Sequence, residues 1–231
     1  MDRHPTRRTG ALITQPSALL SFDAESARRG FRFDPEPHHY WLDQKRIPSV
    51  SEILEATGFK GRAKNATHQE NIDRAGRRGT RVHLFTHWLD ENDLDWSDVK
   101  DDEIPYVTGW EGFRQEHDFK PYLHETPMWD PDLLYGVTPD CFGTWHGGKP
   151  VIVEKKTGDH LYWHRFQTMF QKMTIRKWWP ADYERVVVRL TSWGSALPRE
   201  YKDDAIDSMI CRAAVTCFQS QQTMGGLHGI D

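Results

Sequence analysis

The sequence places a carboxylate and an ammonium two residues apart, Glu154 and Lys156, at the end of the apolar run Val151-Ile152-Val153. Three consecutive β-branched apolar residues read as a buried strand, and a spacing of two puts both polar side chains on one of its faces. A carboxylate there can bind a hard cation. A lysine beside it can steady the negative charge that grows on a phosphate under attack. Taken alone the pair reads as a surface ion pair at a strand end, because the E-x-K spacing is common. The preceding residues add weight. Residues 133–140 form a second strand-like run that ends in an acid, Cys141–Trp145 continue it, and His146-Gly147-Gly148-Lys149-Pro150 read as a turn. Folding back at that turn lays the run beside 150–155 and brings Asp140 next to Glu154. Two carboxylates and a lysine in one place form the inner shell of a magnesium-dependent phosphodiesterase, so Asp140, Glu154 and Lys156 are the expected catalytic residues.

Thr138-Pro139-Asp140, thirteen residues, then Glu154-Lys155-Lys156 resembles the PD-(D/E)XK nuclease superfamily. Several further segments resemble its lambda-exonuclease and RecB-like branch. Gly79-Thr80-Arg81-Val82-His83 is similar to a helix of that branch, Lys156-Thr157-Gly158 to its K-T-G, and Gln167 to the first residue of its Q-x-x-x-Y. Phe33-Asp34, His39-Tyr40-Trp41 and the run from Pro48 to Leu54 resemble the N-terminal hairpin and P-S-V-T-x-I-L segment of phage-type members. The resemblance spans roughly residues 30–190 in the right order, and it rests on the combination of pieces that are individually weak. There are departures. An extra residue separates Gly136 from Thr138, the tyrosine position of Q-x-x-x-Y is Gln171, and three cysteines are one short of the four that iron–sulfur members need.

The resemblance implies an α/β, restriction-endonuclease-like core with a small mixed central sheet flanked by helices. It implies a magnesium-dependent deoxyribonuclease, with manganese as a substitute, and more specifically an exonuclease acting on DNA ends in phage or bacterial recombination and repair. It adds His83, Glu125 and the Lys155 carbonyl to Asp140 and Glu154 as metal ligands. Gln167, with Arg77, Arg78 and Arg81, is expected to bind substrate. A single-strand annealing or recombination protein is the implied partner, and the oligomeric state is left open. The nearest rivals are a structure-specific or single-strand endonuclease, and a catalytically silent nucleic-acid-binding module on the same fold. Retention of Asp140, Glu154 and Lys156 argues against the last. His87, one turn beyond His83, raises the alternative of a zinc pair, but no H-E-x-x-H pattern accompanies it.

Composition fits this reading once charge is resolved along the chain. The 231 residues carry a formal net charge of −4. Residues 90–118 hold eleven acids and two bases, whereas 60–81 hold seven bases and two acids, and 155–177 six bases and one acid. Both basic stretches flank the expected site, and a positive channel beside an acidic flank can admit a phosphate backbone. No apolar run approaches the roughly 20 residues needed to span a bilayer. No signal peptide is read, and three cysteines without metal-like spacing argue for a reducing cytosol, that of the bacterial host if the chain is phage-encoded.

Pattern reading divides the chain into a flexible arm over 1–28 and one domain over 29–231. Within the domain it expects a hairpin at 31–42 and a capping box at Ser49 opening a short helix. Helices are expected over 69–89, 105–116, 161–178 and 199–221, and strands over 122–129, 133–145, 151–155 and 185–190. Val82, Phe85 and Leu89 form the buried stripe of the 69–89 helix, which puts His83 at the edge of that stripe. Cys211 and Cys217 are read as core thiols. Trp163, Trp178, Trp179, Tyr40 and Trp41 are read as packing residues rather than base-stacking platforms.

Overall fold

The computed structural model describes the backbone of residues 16–61 and 66–227 and the side chains of residues 21–61 and 76–223. The fold is mixed α/β. Its centre is a five-stranded sheet in the order β10-β9-β8-β7-β4, made by β4 (Lys120–His124), β7 (Cys141–Trp145), β8 (Lys149–Lys156), β9 (Glu184–Leu190) and β10 (Ala196–Tyr201). Strand β8 is the hinge of the topology, antiparallel to β7 through the Gly147-Gly148 turn and parallel to β9. A parallel neighbour needs a crossover, and helix α5 (His164–Trp178) supplies it.

Val151, Ile152 and Val153 are fully buried because both faces of β8 are covered. Val151 and Val153 pack with Val186 and Val188 against Val82 of α3 (Ala66–Asp90) and Tyr106 and Trp110 of α4 (Ile104–Glu116). Ile152 points the other way, into a core with Phe166, Met169 and Phe170 of α5 and Ala214 and Val215 of α6 (Asp204–Leu227). This alternation has a direct consequence for the site. Glu154 and Lys156 follow Ile152 to the α5 face, whereas Lys155 follows Val153 to the α3 and α4 face.

A small antiparallel sheet, β1 (Arg32–Asp34), β2 (His39–Leu42) and β3 (Lys45–Ile47), leads into α2 (Val50–Ala56). The capping box at Ser49 is formed: Glu52 N donates to Ser49 Oγ, and Ser49 N donates to Glu52 Oε2. This unit docks on the segment leading to Asp140. Gly136 N donates to the Pro48 carbonyl at 2.8 Å. The Tyr40 hydroxyl meets Thr138 Oγ1 at 2.7 Å. Gly136, in the two-residue strand β6 (Gly136–Val137) that pairs with β5 (Met128–Trp129), lies so close to the Tyr40 ring that a Cβ would sit 2.0 Å from it. Gly136→Ala is therefore expected to cost about 1–3 kcal/mol by overpacking, read as a lower urea midpoint, and to loosen the approach to Asp140.

Several expectations are corrected. Residues 16–28 of the expected arm form helix α1 (Pro16–Arg28), whose Phe22 is buried against Trp178 and Phe31. Residues 1–15 lie outside the described residues. The strand expected over 133–145 is broken at Asp140 into β6 and β7, and that expected over 122–129 into β4 and β5. The final helix begins at Asp204, because 196–201 extend the sheet as its edge strand β10. Cys211 is buried as expected, but Cys217 is exposed. No helix among the described residues is long and apolar enough to cross a membrane.

Candidate active site

The site forms where β4, β7 and β8 meet helices α3 and α5. Asp140 immediately precedes β7, and Glu154 and Lys156 close β8. The pairing Cys141↔Val153 sets Asp140 opposite the end of β8, and the Lys155 N–H donates to Asp140 Oδ2 at 2.6 Å. Glu125 follows the last residue of β4, and its N–H donates to the Asp140 carbonyl at 3.1 Å. Glu125 adopts a left-handed backbone with φ 40°, a conformation that costs a non-glycine residue about 1–2 kcal/mol and that clusters at functional positions.

Three ligand-type side chains converge. One ligand atom from each of His83, Glu125 and Asp140 lies within 4.8 Å of the others. His83 Nδ1 is 3.4 Å from Glu125 Oε1 and 3.5 Å from Asp140 Oδ1. Its Nε2 lies 3.1 Å from the Lys155 carbonyl, and since a carbonyl only accepts, Nε2 carries a proton in this arrangement. In the neutral ring that tautomer leaves the Nδ1 lone pair facing the two carboxylates, which is how an outer hydrogen bond orients a metal-binding histidine. Burial works against a charge on His83, but Asp140 and Glu125 outweigh it and raise its pKa. Glu125 Oε1 is buried and has no hydrogen-bond partner. A carboxylate oxygen with no hydrogen bond, a second acid and an imidazole nitrogen form a donor set suited to a divalent cation. The Lys155 carbonyl, expected among the ligands, also accepts from His83 Nε2 and so anchors the ring.

Glu154 is 1% exposed and accepts three hydrogen bonds. Lys156 Nζ and Gln167 Nε2 donate to Oε1, each at 2.6 Å, and Gln171 Nε2 donates to Oε2 at 2.5 Å. Burial and the neighbouring Asp140 raise the Glu154 pKa, with Lys156 and Gln171 opposing. Burial opposes the charge on Lys156, and Glu154 and Asp140 overcome it, so the ammonium is held above the usual lysine range.

Lys155 is wholly buried on the opposite face. Its Nζ donates to Thr86 Oγ1 at 2.8 Å and sits 5.0 Å from the Trp110 ring centroid. Thr86 Oγ1 in turn donates to the His83 carbonyl at 2.9 Å. Burial disfavours the Lys155 charge, and Cys141, Asp90 and Asp140 together outweigh it and raise the Lys155 pKa.

The structure thus brings together His83, Glu125, Asp140, Glu154 and Lys156. Gln167, expected to contact substrate, donates from its amide nitrogen to Glu154, and its Oε1 is buried without a hydrogen-bond partner. Arg81 is held by both oxygens of Glu103, at 2.6 and 3.0 Å, and the Arg78 guanidinium lies over the Tyr106 ring. Arg77 remains exposed. The side chains of Arg62, Lys64 and Arg74, part of the basic stretch over 60–81, lie outside the described ones. His87 stands apart from the cluster, stacked on His124 at 4.6 Å and 3.2 Å from Glu91. Sequence reading gave Gln171 no role, although its i, i+4 spacing from Gln167 puts both on one helix face. A groove of about 460 Å³ lined by Asp132, Met169, Met173, Arg176 and Arg212 contains none of the site residues.

Protein-family models give no match to the chain, and curated proteins give none either.

Proposed function

We propose that this protein is a divalent-metal-dependent deoxyribonuclease of the PD-(D/E)XK type, acting on DNA ends. The observation that carries the reading is the position of Asp140, shared between a three-residue cation cluster on one side and a buried Glu154–Lys156 pair on the other. A plain structural ion pair does not require the third and fourth groups. The residues His83, Glu125 and Asp140 would hold the cation, with Glu154 beside them. Such a cation lowers the pKa of a bound water and polarises a phosphate. Lys156 places a positive charge where negative charge grows on the phosphate, and Gln167 and Gln171 fix the Glu154 carboxylate in one orientation. The Lys155 ammonium offsets acid charge from beneath.

The test is digestion of end-labelled linear duplex, single strand and closed circular DNA, with magnesium and with chelator. Cleavage of linear DNA that stops on chelation supports the reading. An intact circle selects the end-dependent form, and a nicked or linearised circle selects the endonuclease. No cleavage of any DNA under any divalent metal would sink it.

His83 gives a measurement independent of turnover. Imidazole nitrogen suits manganese better than the harder magnesium. His83→Gln is expected to weaken manganese binding about tenfold or more in calorimetry, and magnesium binding less. Equal loss for both metals, or none, would remove His83 from the ligand set. His87→Ala should change neither.

A further inference from the structure

The loop joining Lys156 to α5 ends in two aromatic residues with opposite fates. Trp163 is half-buried and packs against the core. Tyr162 is 65% exposed. Phe166, itself fully buried, meets it edge-on at 5.3 Å and 84°, and Phe59 backs Phe166 at 4.8 Å. The Arg165 guanidinium, fixed by Asp207, is 5.5 Å from the Tyr162 centroid. Two ammonium groups from distant parts of the chain meet at the adjoining indole. Lys60 Nζ is 5.4 Å and Lys156 Nζ 5.7 Å from the Trp163 ring. Each is also paired with a carboxylate, Lys60 with Glu55 and Lys156 with Glu154, and each ammonium keeps donors to spare.

We propose that Tyr162 is the stacking surface for an unpaired base of a strand whose phosphates lie at Lys60 and Lys156, so that nucleic acid enters this site single-stranded. The inference rests on the nuclease reading for the presence of a strand at Lys156. An exposed aromatic ring backed edge-on by a buried one, with cations at one side, has the two elements of a single-strand site: a π-face for a base and positive charge for its backbone. Within a duplex both faces of a base are covered by its neighbours, so only a flipped, frayed or single-stranded base offers a face to this ring. Trp163 acts as a positioning residue, its ring gathering the two lysines.

The experiment uses the full chain in chelator, where no hydrolysis interferes. A single-stranded oligonucleotide carrying the fluorescent base 2-aminopurine is titrated, with a duplex closed by hairpins at both ends as the paired probe. Wild type and Tyr162→Phe are expected to quench the fluorescent base at one or two positions. Tyr162→Ala is expected to weaken single-strand binding about five- to hundredfold and to abolish that quenching, with hairpin-duplex affinity within about twofold of wild type. Being exposed, Tyr162 can be truncated without a core penalty, and its thermal midpoint is the check. Trp163→Leu is expected to weaken both probes, since it releases phosphate-binding lysines. Unquenched base in wild type, or Tyr162→Ala binding the single strand at wild-type strength or weakening both probes equally, overturns the proposal. Metal-dependent cleavage alongside that result leaves the nuclease reading intact. Loss of stacking in Tyr162→Ala in a chain that never cleaves does the reverse.

Discussion

Asp140→Asn, Glu154→Gln and Lys156→Ala are each expected to lower the rate of magnesium-dependent DNA cleavage about a hundred- to thousandfold or more, with circular dichroism spectra like that of wild type. The conservative amides are the informative choices at the acids. Glu154 accepts from Lys156, Gln167 and Gln171, so an alanine there strands three donors, that of Gln171 fully buried, and confuses folding with chemistry. Asp140→Asn keeps the acceptor for the Lys155 N–H while removing the charge shared with the His83 cluster. The three single losses should not add, because groups that act as one unit fail together. If Lys156→Ala cleaves at the wild-type rate, the lysine is a structural counter-ion and the phosphodiesterase reading fails with it.

The largest effect on stability is expected on the far side of the same core. Arg185 on β9 is wholly buried. Its Nε donates to Asp204 Oδ1, its Nη2 to Asp207 Oδ2 and its Nη1 to the Arg165 carbonyl, each at 2.8 Å. Asp207 is fully buried too and accepts from Arg165 Nε at 2.8 Å. This network fastens α6 to the sheet and to α5. Asp207→Ala leaves a buried guanidinium short of its partner and is expected to cost about 3–5 kcal/mol, a large part of the ordinary stability of a domain. The double change Arg185→Met with Asp207→Leu should cost less than Asp207→Ala, since an apolar pair of similar volume needs no compensation. Urea unfolding of the three proteins checks this. An unfolding curve for Asp207→Ala that overlays wild type would show that the network contributes nothing net.

What the sequence made legible follows the range of the interactions involved. The two-residue spacing of Glu154 and Lys156 on a buried strand is a local pattern, and it foretold their shared face and ion pair. The Gly147-Gly148 turn gave the β7–β8 pairing, and with it the position of Asp140. The stripe of α3 placed His83 at an edge, where the fold does bring it to Asp140. The break at Asp140 was not foreseen, because 133–145 read as one strand continuing past the acid, while the pairing of Gly136 with Ser49 and Trp129 pulls the first part away from the sheet. Strand β10 was hidden for a similar reason. Its residues are mostly exposed, so no alternation marks them, and pairing with β9 alone decides their conformation. The basic stretch around Arg78 and Arg81 shows a different limit. A count of charges does not say which are already neutralised, and Glu103, from the acidic stretch, binds Arg81.

The residues proposed to hold the cation come from positions 83, 125 and 140, and the pair beside them from 154 and 156. Four chain segments must be in place at once, one of them held by a strand whose parallel partner lies beyond an intervening helix. Such non-local closure is slow to form and comes as a unit. No fragment ending before β8 contains the complete arrangement, and neither does a collapsed chain whose strands have not found their register. A cation captured by the finished cluster binds the native state and not the open chain, so its affinity feeds back on the folding equilibrium, by about 2.7 kcal/mol when the ion is present at a hundred times its dissociation constant. On the proposed reading, completion of the site and completion of the topology are one event, and a chain still emerging or misassembled carries no partial version of the cluster.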